Sequence, residues 1–492
     1  MDQVAYLNIT NTIERTYKKL AILALDQSMG YSLGRGFSDI VPEDSILVDI
    51  DTVNELKEMA ISEDDPEKRE RIERALMACM DLTLELDTSS LSDMQRFYMD
   101  KGRMVVQGQK IPALEIVPWL QNQNNYELRE EMTSELGIFS RAILNPIFLS
   151  ILDVIQKTVT EKLGFSGYSE YAQFKRNCSF NDWQIIFSEY QSSTDKVYFE
   201  KTSIWVEEKL GHPLEDLNRS HALRLMRIDA HDKYFPGSSL KEIVGRTMKG
   251  LGLDLKKRKD IIIDIKDDAR RNADAICVPV DIPGEVRILV KPIGGLIDLE
   301  ALLHEMGHAY FVGGFSLEAP VEYRRLTRSP ALDESFAFLF MQLLENSRWL
   351  TDVAKLDVSD AEKLTEEIRI KRLLLIRLHI GKFLAEKDLF ESLNFKDSSF
   401  YCSRVNRATG FKYEPDGYLL DMEPEFYSAE YVWGWAGAEI LRHFLEKSFG
   451  ENWYQVPDAG SFLEQISRDG RRNSLKQALF KFCGSELTMP SF

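Results

Sequence analysis

The chain is short of positive charge. It sets 61 Lys and Arg against 79 Asp and Glu, a formal net charge of −18 over 492 residues. Nucleic-acid binding needs clustered Lys and Arg, so this balance gives no such footprint. It also argues against adhesion to anionic membranes. Cysteine is scarce as well. Cys79, Cys178, Cys277, Cys402 and Cys483 are the five present, and no two stand close enough for a CxxC pair. That removes a Cys-based zinc site and a disulfide framework. The odd, scattered count fits reduced thiols in a cytoplasm. Residues 1–20 lack the basic start and apolar run of a signal peptide. No apolar stretch is expected to reach the roughly 18 residues needed to cross a bilayer. Fixed-period repeats, low-complexity tracts, P-loops and GxGxxG turns are all missing.

What remains is an ordinary globular composition, 44% hydrophobic and 28% charged. The length is too great for one simple core, so two lobes are expected, divided at 1–222 and 223–492. Helical periodicity dominates. In residues 66–86, Ile72, Leu76, Cys79, Met80 and Leu84 form one stripe with charges opposite. Residues 126–163 read as a long helix broken near Asn145-Pro146, and 183–210 and 214–234 continue the pattern. The character changes after about residue 256. DIIIDIK (260–266), ICVPVD (276–281) and VRILVK (286–291) read as strands, the last two as a hairpin around Ile282-Pro283-Gly284-Glu285. Pro279 lacks an N–H, so its strand belongs at a sheet edge. A helix should follow Gly294-Gly295, with Asp298 and Glu300 near its start, and stop at Gly313-Gly314. Further helices are expected over 331–345, 360–393 and 427–449. The fold class is therefore mainly α, with one small sheet before the key helix.

That helix carries His304-Glu305-Met306-Gly307-His308. Positions i and i+4 of a helix share one face about 6 Å apart, so two imidazoles converge on one ion. Glu305 sits one step round, placed to take a proton from an attacking water and pass it to a leaving amine. With 7 His in the chain, chance supplies roughly 0.01 such motifs. The pattern thus points to one Zn2+ held by His304, His308 and a third, carboxylate ligand from a later helix. Glu318, Glu322, Asp333, Glu334 and Glu345 are the candidates. Glu334 is favoured and Asp333 is its main rival, because both head an otherwise apolar helix where a buried acid needs a partner. Glu300, one turn before His304, is a candidate to accept the second ring N–H of a ligating His.

The run from Asp298 through Glu300 and His304 to Ala309 resembles the metal helix of the thimet oligopeptidase and oligoendopeptidase F peptidases. Glu334, 26 residues after His308, stands close to where that family places its third ligand, and the strands at 276–291 resemble its channel-lining pair. The resemblance spans roughly residues 223–470. It implies two helical lobes around a deep, narrow channel that admits short oligopeptides, with zinc on its floor and an edge strand holding the peptide backbone. It also implies a histidine and tyrosines on a late helix that stabilise the oxyanion. Here that helix offers Tyr427 and Tyr431, four residues apart. The chain departs from the family pattern at Trp433, where a tyrosine is usual, and at Asp421, where a histidine is usual. His379 and His443 read as structural or surface histidines. The expected activity is zinc-dependent hydrolysis of oligopeptides, with a metallocarboxypeptidase or dipeptidyl carboxypeptidase and a silent peptide-binding scaffold as the alternatives.

Overall fold

Local signals account for the helices. Asp65 accepts from the backbone N–H of Glu67 and Lys68 ahead of Pro66, and starts the long helix Pro66–Lys101. Ser179 caps Phe180–Leu210, which Gly211 ends in the left-handed conformation (φ 71°). A computed structural model describes residues 2–31, 36–268, 270–271 and 275–491. Within them helix predominates, as the periodicity predicts.

The run from Tyr126 to Lys162 stays helical across Asn145-Pro146. A wide π-turn at Ser140–Leu144, closed by the Asn145 N–H on the Ser140 carbonyl, immediately precedes Pro146, so the expected break is a bulge. This run also corrects the expectation about apolar length. It is long and apolar enough, by length and composition, to cross a membrane, and only 22% of its apolar window is buried. Residues 214–234 do not form one helix. Ile228 adopts φ 46°, and the segment divides into Leu214–Asp216, Arg219–Leu225 and Asp229–Tyr234.

Two sheets are present among the described residues where one was expected. The additional hairpin pairs β1 (Arg103–Val106) with β2 (Gln109–Pro112). Gln107 and Gly108 both have positive φ, the two-residue turn that suits a tight hairpin. The second sheet contains β3 (Ile261–Ile265), β4 (Ala275–Asp281) and β5 (Glu285–Val290) in the order β3-β5-β4. β5 runs parallel to β3 and antiparallel to β4. Pro279 therefore lies on an edge strand, as its missing N–H requires. The N-terminal helix Gln3–Ser28 packs Leu25 against Val278, Val280 and Leu289.

The largest apolar core runs from Ile9 to Leu479 and takes side chains from both sides of residue 222. Three of its helices build the site: Leu296–Gly313, Ala331–Met341 and Tyr427–Phe449. In the middle of the first, Leu302, Leu303, Met306, Gly307, Ala309 and Tyr310 are buried, while Ala301, His304, Glu305 and His308 keep partial access. These four occupy one i, i+3, i+4, i+7 stripe, so the polar face of a core helix is the face that opens onto a cavity.

Candidate metal centre

His304, His308 and Glu334 meet at one point, with one ligand atom from each lying within 4.8 Å of the others. Glu334 Oε2 is 3.6 Å from His304 Nε2, and Glu334 Oε1 is 3.8 Å from His308 Nε2. The two imidazole planes stand almost perpendicular, at 87°. Zinc bonds of about 2.0–2.2 Å set tetrahedral ligands a little over 3 Å apart, so small adjustments would complete three sides of such a site.

The electrostatics fit a cation. Burial pushes His304 well below its ordinary pKa, assisted by His308. Burial, then the Arg471 charge, brings His308 down to about 4. Both rings are therefore neutral, the form that ligates metal. Burial raises the Glu334 carboxyl to about 8, with Asp333, Glu305 and Glu430 adding repulsion against the Tyr427 hydrogen bond. Its Oε2 is buried without a hydrogen-bond partner. An orphaned buried carboxylate oxygen facing two neutral imidazoles is unfavourable alone and favourable around a divalent ion.

The other carboxylates are engaged elsewhere. Arg471 holds both oxygens of Asp333 through Nε and Nη2, at 2.6–3.2 Å. Glu322 is fully buried against Tyr6 and Arg71, Glu345 pairs with Arg372, and Glu318 makes its described bond, through its N–H, to Ser316. Glu300 accepts from Lys371 Nζ at 2.5 Å, which commits it to a buried ion pair. Asp298 accepts from the N–H of Ile293 and Gly294 and so ties down the loop that enters the motif helix.

Both tyrosines reach the site, in different ways. Tyr427 donates its hydroxyl to Glu334 Oε1 at 2.6 Å. The Tyr431 ring lies 4.9 Å from Tyr427, and its hydroxyl makes no hydrogen bond among the described residues. Burial first, then the charges of Glu334, Glu423 and Glu305, raise its pKa. His379, read from the sequence as structural or surface, packs its ring 4.7 Å from Tyr431 and places its Nδ1 3.4 Å from Ser428 Oγ. Burial takes His379 down to about 3. Nothing local marks it, because it lies within the 35-residue helix Val358–Ser392, most of which is buried. Trp433 packs against Trp183 and Phe187, and Asp421 binds Arg219 and Tyr401, so both positions take structural partners.

A cavity of about 340 Å³ opens onto His308, with Cys277 and Pro279 of the β4 edge strand and Tyr427 on its walls. Lys175, Arg328 and Arg471 border it too, each held by acids.

No family model matches the chain, and no curated protein matches it by sequence. In three dimensions it is similar to the M32 carboxypeptidase from Deinococcus radiodurans R1, at a TM-score of 0.60 and 14% identity over 99% of this chain and 96% of that one. It is equally similar to the Apo-Mg form of a Pyrococcus furiosus carboxypeptidase, at 0.60 and 13% over 99% and 97%. The fold is thus the mainly helical one expected, and the chain shares it along nearly its whole length with these carboxypeptidases rather than through a demonstrated tie to thimet oligopeptidase or oligoendopeptidase F.

Proposed function

We propose that the protein is a zinc-dependent peptidase that hydrolyses short peptides. The observation that carries this reading is the convergence of His304, His308 and the orphaned Glu334 carboxylate beside Glu305. Held by those three side chains, zinc would supply Lewis-acid polarisation of the scissile carbonyl and activate a water. Glu305 takes the proton of the attacking water and delivers it to the leaving amine. Tyr431, whose hydroxyl has no partner among the described residues, donates to the developing oxyanion. Tyr427 holds Glu334 in its ligating orientation. The β4 edge offers the substrate backbone a strand to pair with. The five free cysteines support a reducing, cytoplasmic setting.

A second reading, release of C-terminal residues, draws support from the shared carboxypeptidase fold and from Lys175, Arg328 and Arg471 on the cavity wall, cations that would hold a terminal carboxylate by giving up part of their present pairing with acids. Elemental analysis together with digestion of a peptide library tests both readings. About one zinc per chain, with cleavage by wild type and none by zinc-loaded Glu305→Gln, is the expected result. Cleavage that persists in Glu305→Gln overturns the mechanism. Products lost on C-terminal amidation favour the carboxypeptidase, and products unchanged by amidation favour the oligopeptidase.

A further inference from the structure

The 340 Å³ metal cavity does not end at the metal ligands. Lys175, Thr327 and Glu425 line it and also line a second chamber of about 630 Å³. The two spaces are therefore neighbours that share these side chains as a common wall, which puts the chamber next to the metal site. The chamber is walled by Pro66–Lys101, by Phe148, Ile151, Leu152 and Ile155 of the apolar helical run, and by residues 419–425. That placement explains some of the unburied apolar surface of the run: part of it faces an internal space.

The chamber carries Asp81, Glu85, Glu386, Glu423 and Glu425. Its cations are committed. Arg74 is held by Glu70, and Arg325 by Glu14. Lys175 alone turns to acids of the chamber, 2.7 Å from Asp81 and 3.5 Å from Glu425. From outside the lining Lys382 reaches Glu423 at 3.4 Å, which leaves Glu85 and Glu386 as the chamber acids without an ion pair among the described residues. Glu386 is 1% exposed, lines the chamber, and has a buried Oε2 without a partner, while its Oε1 accepts the Phe426 N–H. The Glu85 carboxyl makes no hydrogen bond or ion pair among the described residues. Glu85 is exposed and lines the chamber, yet protein packed around its carboxyl, then repulsion from Asp81 and Glu425 working against the Lys175 charge, pushes it up to about 7. Of the five acids only Glu386 is buried, and its unpartnered oxygen, beside the unpaired carboxyl of Glu85, is the part of the chamber that a cation would relieve.

We propose that this chamber is a substrate subsite that binds a cationic nitrogen of the peptide, either its N-terminal ammonium or a Lys or Arg side chain. The proposal rests on the peptidase reading for its context and adds the class of substrate. Selection follows from replacing water around a positive group with fixed carboxylates, while an anionic or bulky neutral group in the same place leaves them unpaired.

The test uses one peptide series with zinc-loaded enzyme: a parent with a free N-terminus and one Lys, its N-acetylated form, and its Lys→norleucine form. The parent is expected to exceed at least one of the two altered peptides in kcat/KM by on the order of tenfold. The alteration that causes the loss identifies which nitrogen the chamber holds. Glu85→Gln is expected to shrink that ratio and Glu85→Asp to preserve it, with Glu423→Gln as the second variant if Glu85→Gln does not fold. Equal kcat/KM across the series, or a ratio indifferent to Glu85→Gln and Glu423→Gln, overturns the proposal. Fluorescence anisotropy of the same peptides on Glu305→Gln separates the two claims. Preferential binding of the cationic peptide without turnover by wild type removes the peptidase reading and keeps the subsite. Turnover without preference keeps the peptidase and removes the subsite.

Discussion

Glu334 is the residue on which the site depends, and its environment makes opposite demands with and without metal. In the metal-free protein its folded carboxyl sits near 8, against an ordinary value of 4.5. The folded state therefore keeps a proton that the unfolded state releases, and its stability falls as pH rises from about 4.5 to about 8. Metal-free wild type should lose stability across that window, by on the order of a few kcal/mol, and Glu334→Gln should flatten the slope while binding little zinc. Urea titrations at pH 5 and pH 8.5 measure it, and parallel slopes for the two proteins would refute the assignment. Tyr427 makes a separable contribution. Tyr427→Phe removes the donor to Glu334 Oε1, so zinc affinity should drop by about 10–100-fold with folding retained. Competition with a chromophoric chelator reads this directly. An unchanged affinity would move Tyr427 out of the ligand's support.

At the scale of helices, the site exists because three of them approach unusually closely, and glycine permits it. A Cβ on Gly307, inside the HExxH motif, would lie 2.5 Å from Ala337 Cα and from the Phe336 carbonyl oxygen. One on Gly434 would lie 2.5 Å from Glu334 Cβ. Gly434→Ala must push the carboxylate helix away, so it should cost about 1–3 kcal/mol in overpacking and lower zinc occupancy together with stability. Denaturation and metal analysis on the same preparation test it; lost stability at full zinc occupancy would show that the helix yields without moving Glu334. The same crossing explains what was legible in the sequence. HExxH and the acid-headed helix at Asp333-Glu334 are local patterns, whereas what separates Glu334 from Asp333 is a distant partner, Arg471, which claims Asp333. The β3–β5 strands and the edge position of Pro279 were readable from alternation and a missing N–H. The hairpin at Arg103–Pro112 was overlooked although Gln107-Gly108 is a two-residue turn signal, and the Asn145-Pro146 break failed because the helix continues through a π-turn just before the proline. His379 and the acidic chamber had no local signature, since both arise from segments far apart in sequence.

At the scale of the whole molecule, the metal site and the N-terminal part of the chain are fastened to each other. Arg328, six residues before Glu334, is gripped by Glu70 and Glu73 of Pro66–Lys101. Arg324 and Arg325 share Glu14, and fully buried Glu322 takes Tyr6 and Arg71. Arg176 reaches Glu430 at the start of the tyrosine helix, and Glu430 in turn holds Ser329 beside Pro330. The apolar core continues across the same boundary, so neither 1–222 nor 223–492 keeps its buried surface if the other unfolds. Long chains commonly unfold in steps, but steps require parts with cores of their own. Differential scanning calorimetry of the metal-free protein should therefore give one dominant transition in which the 1–222 and 223–492 regions melt together. Arg328→Ala should lower its midpoint, by about 1–2 kcal/mol in stability because these pairs are only partly buried, without splitting it. Two resolved transitions in wild type would instead establish the 1–222 region as a lobe that folds independently, and the chamber between its helices and residues 419–425 would then be a cleft whose shape depends on how two separate bodies meet.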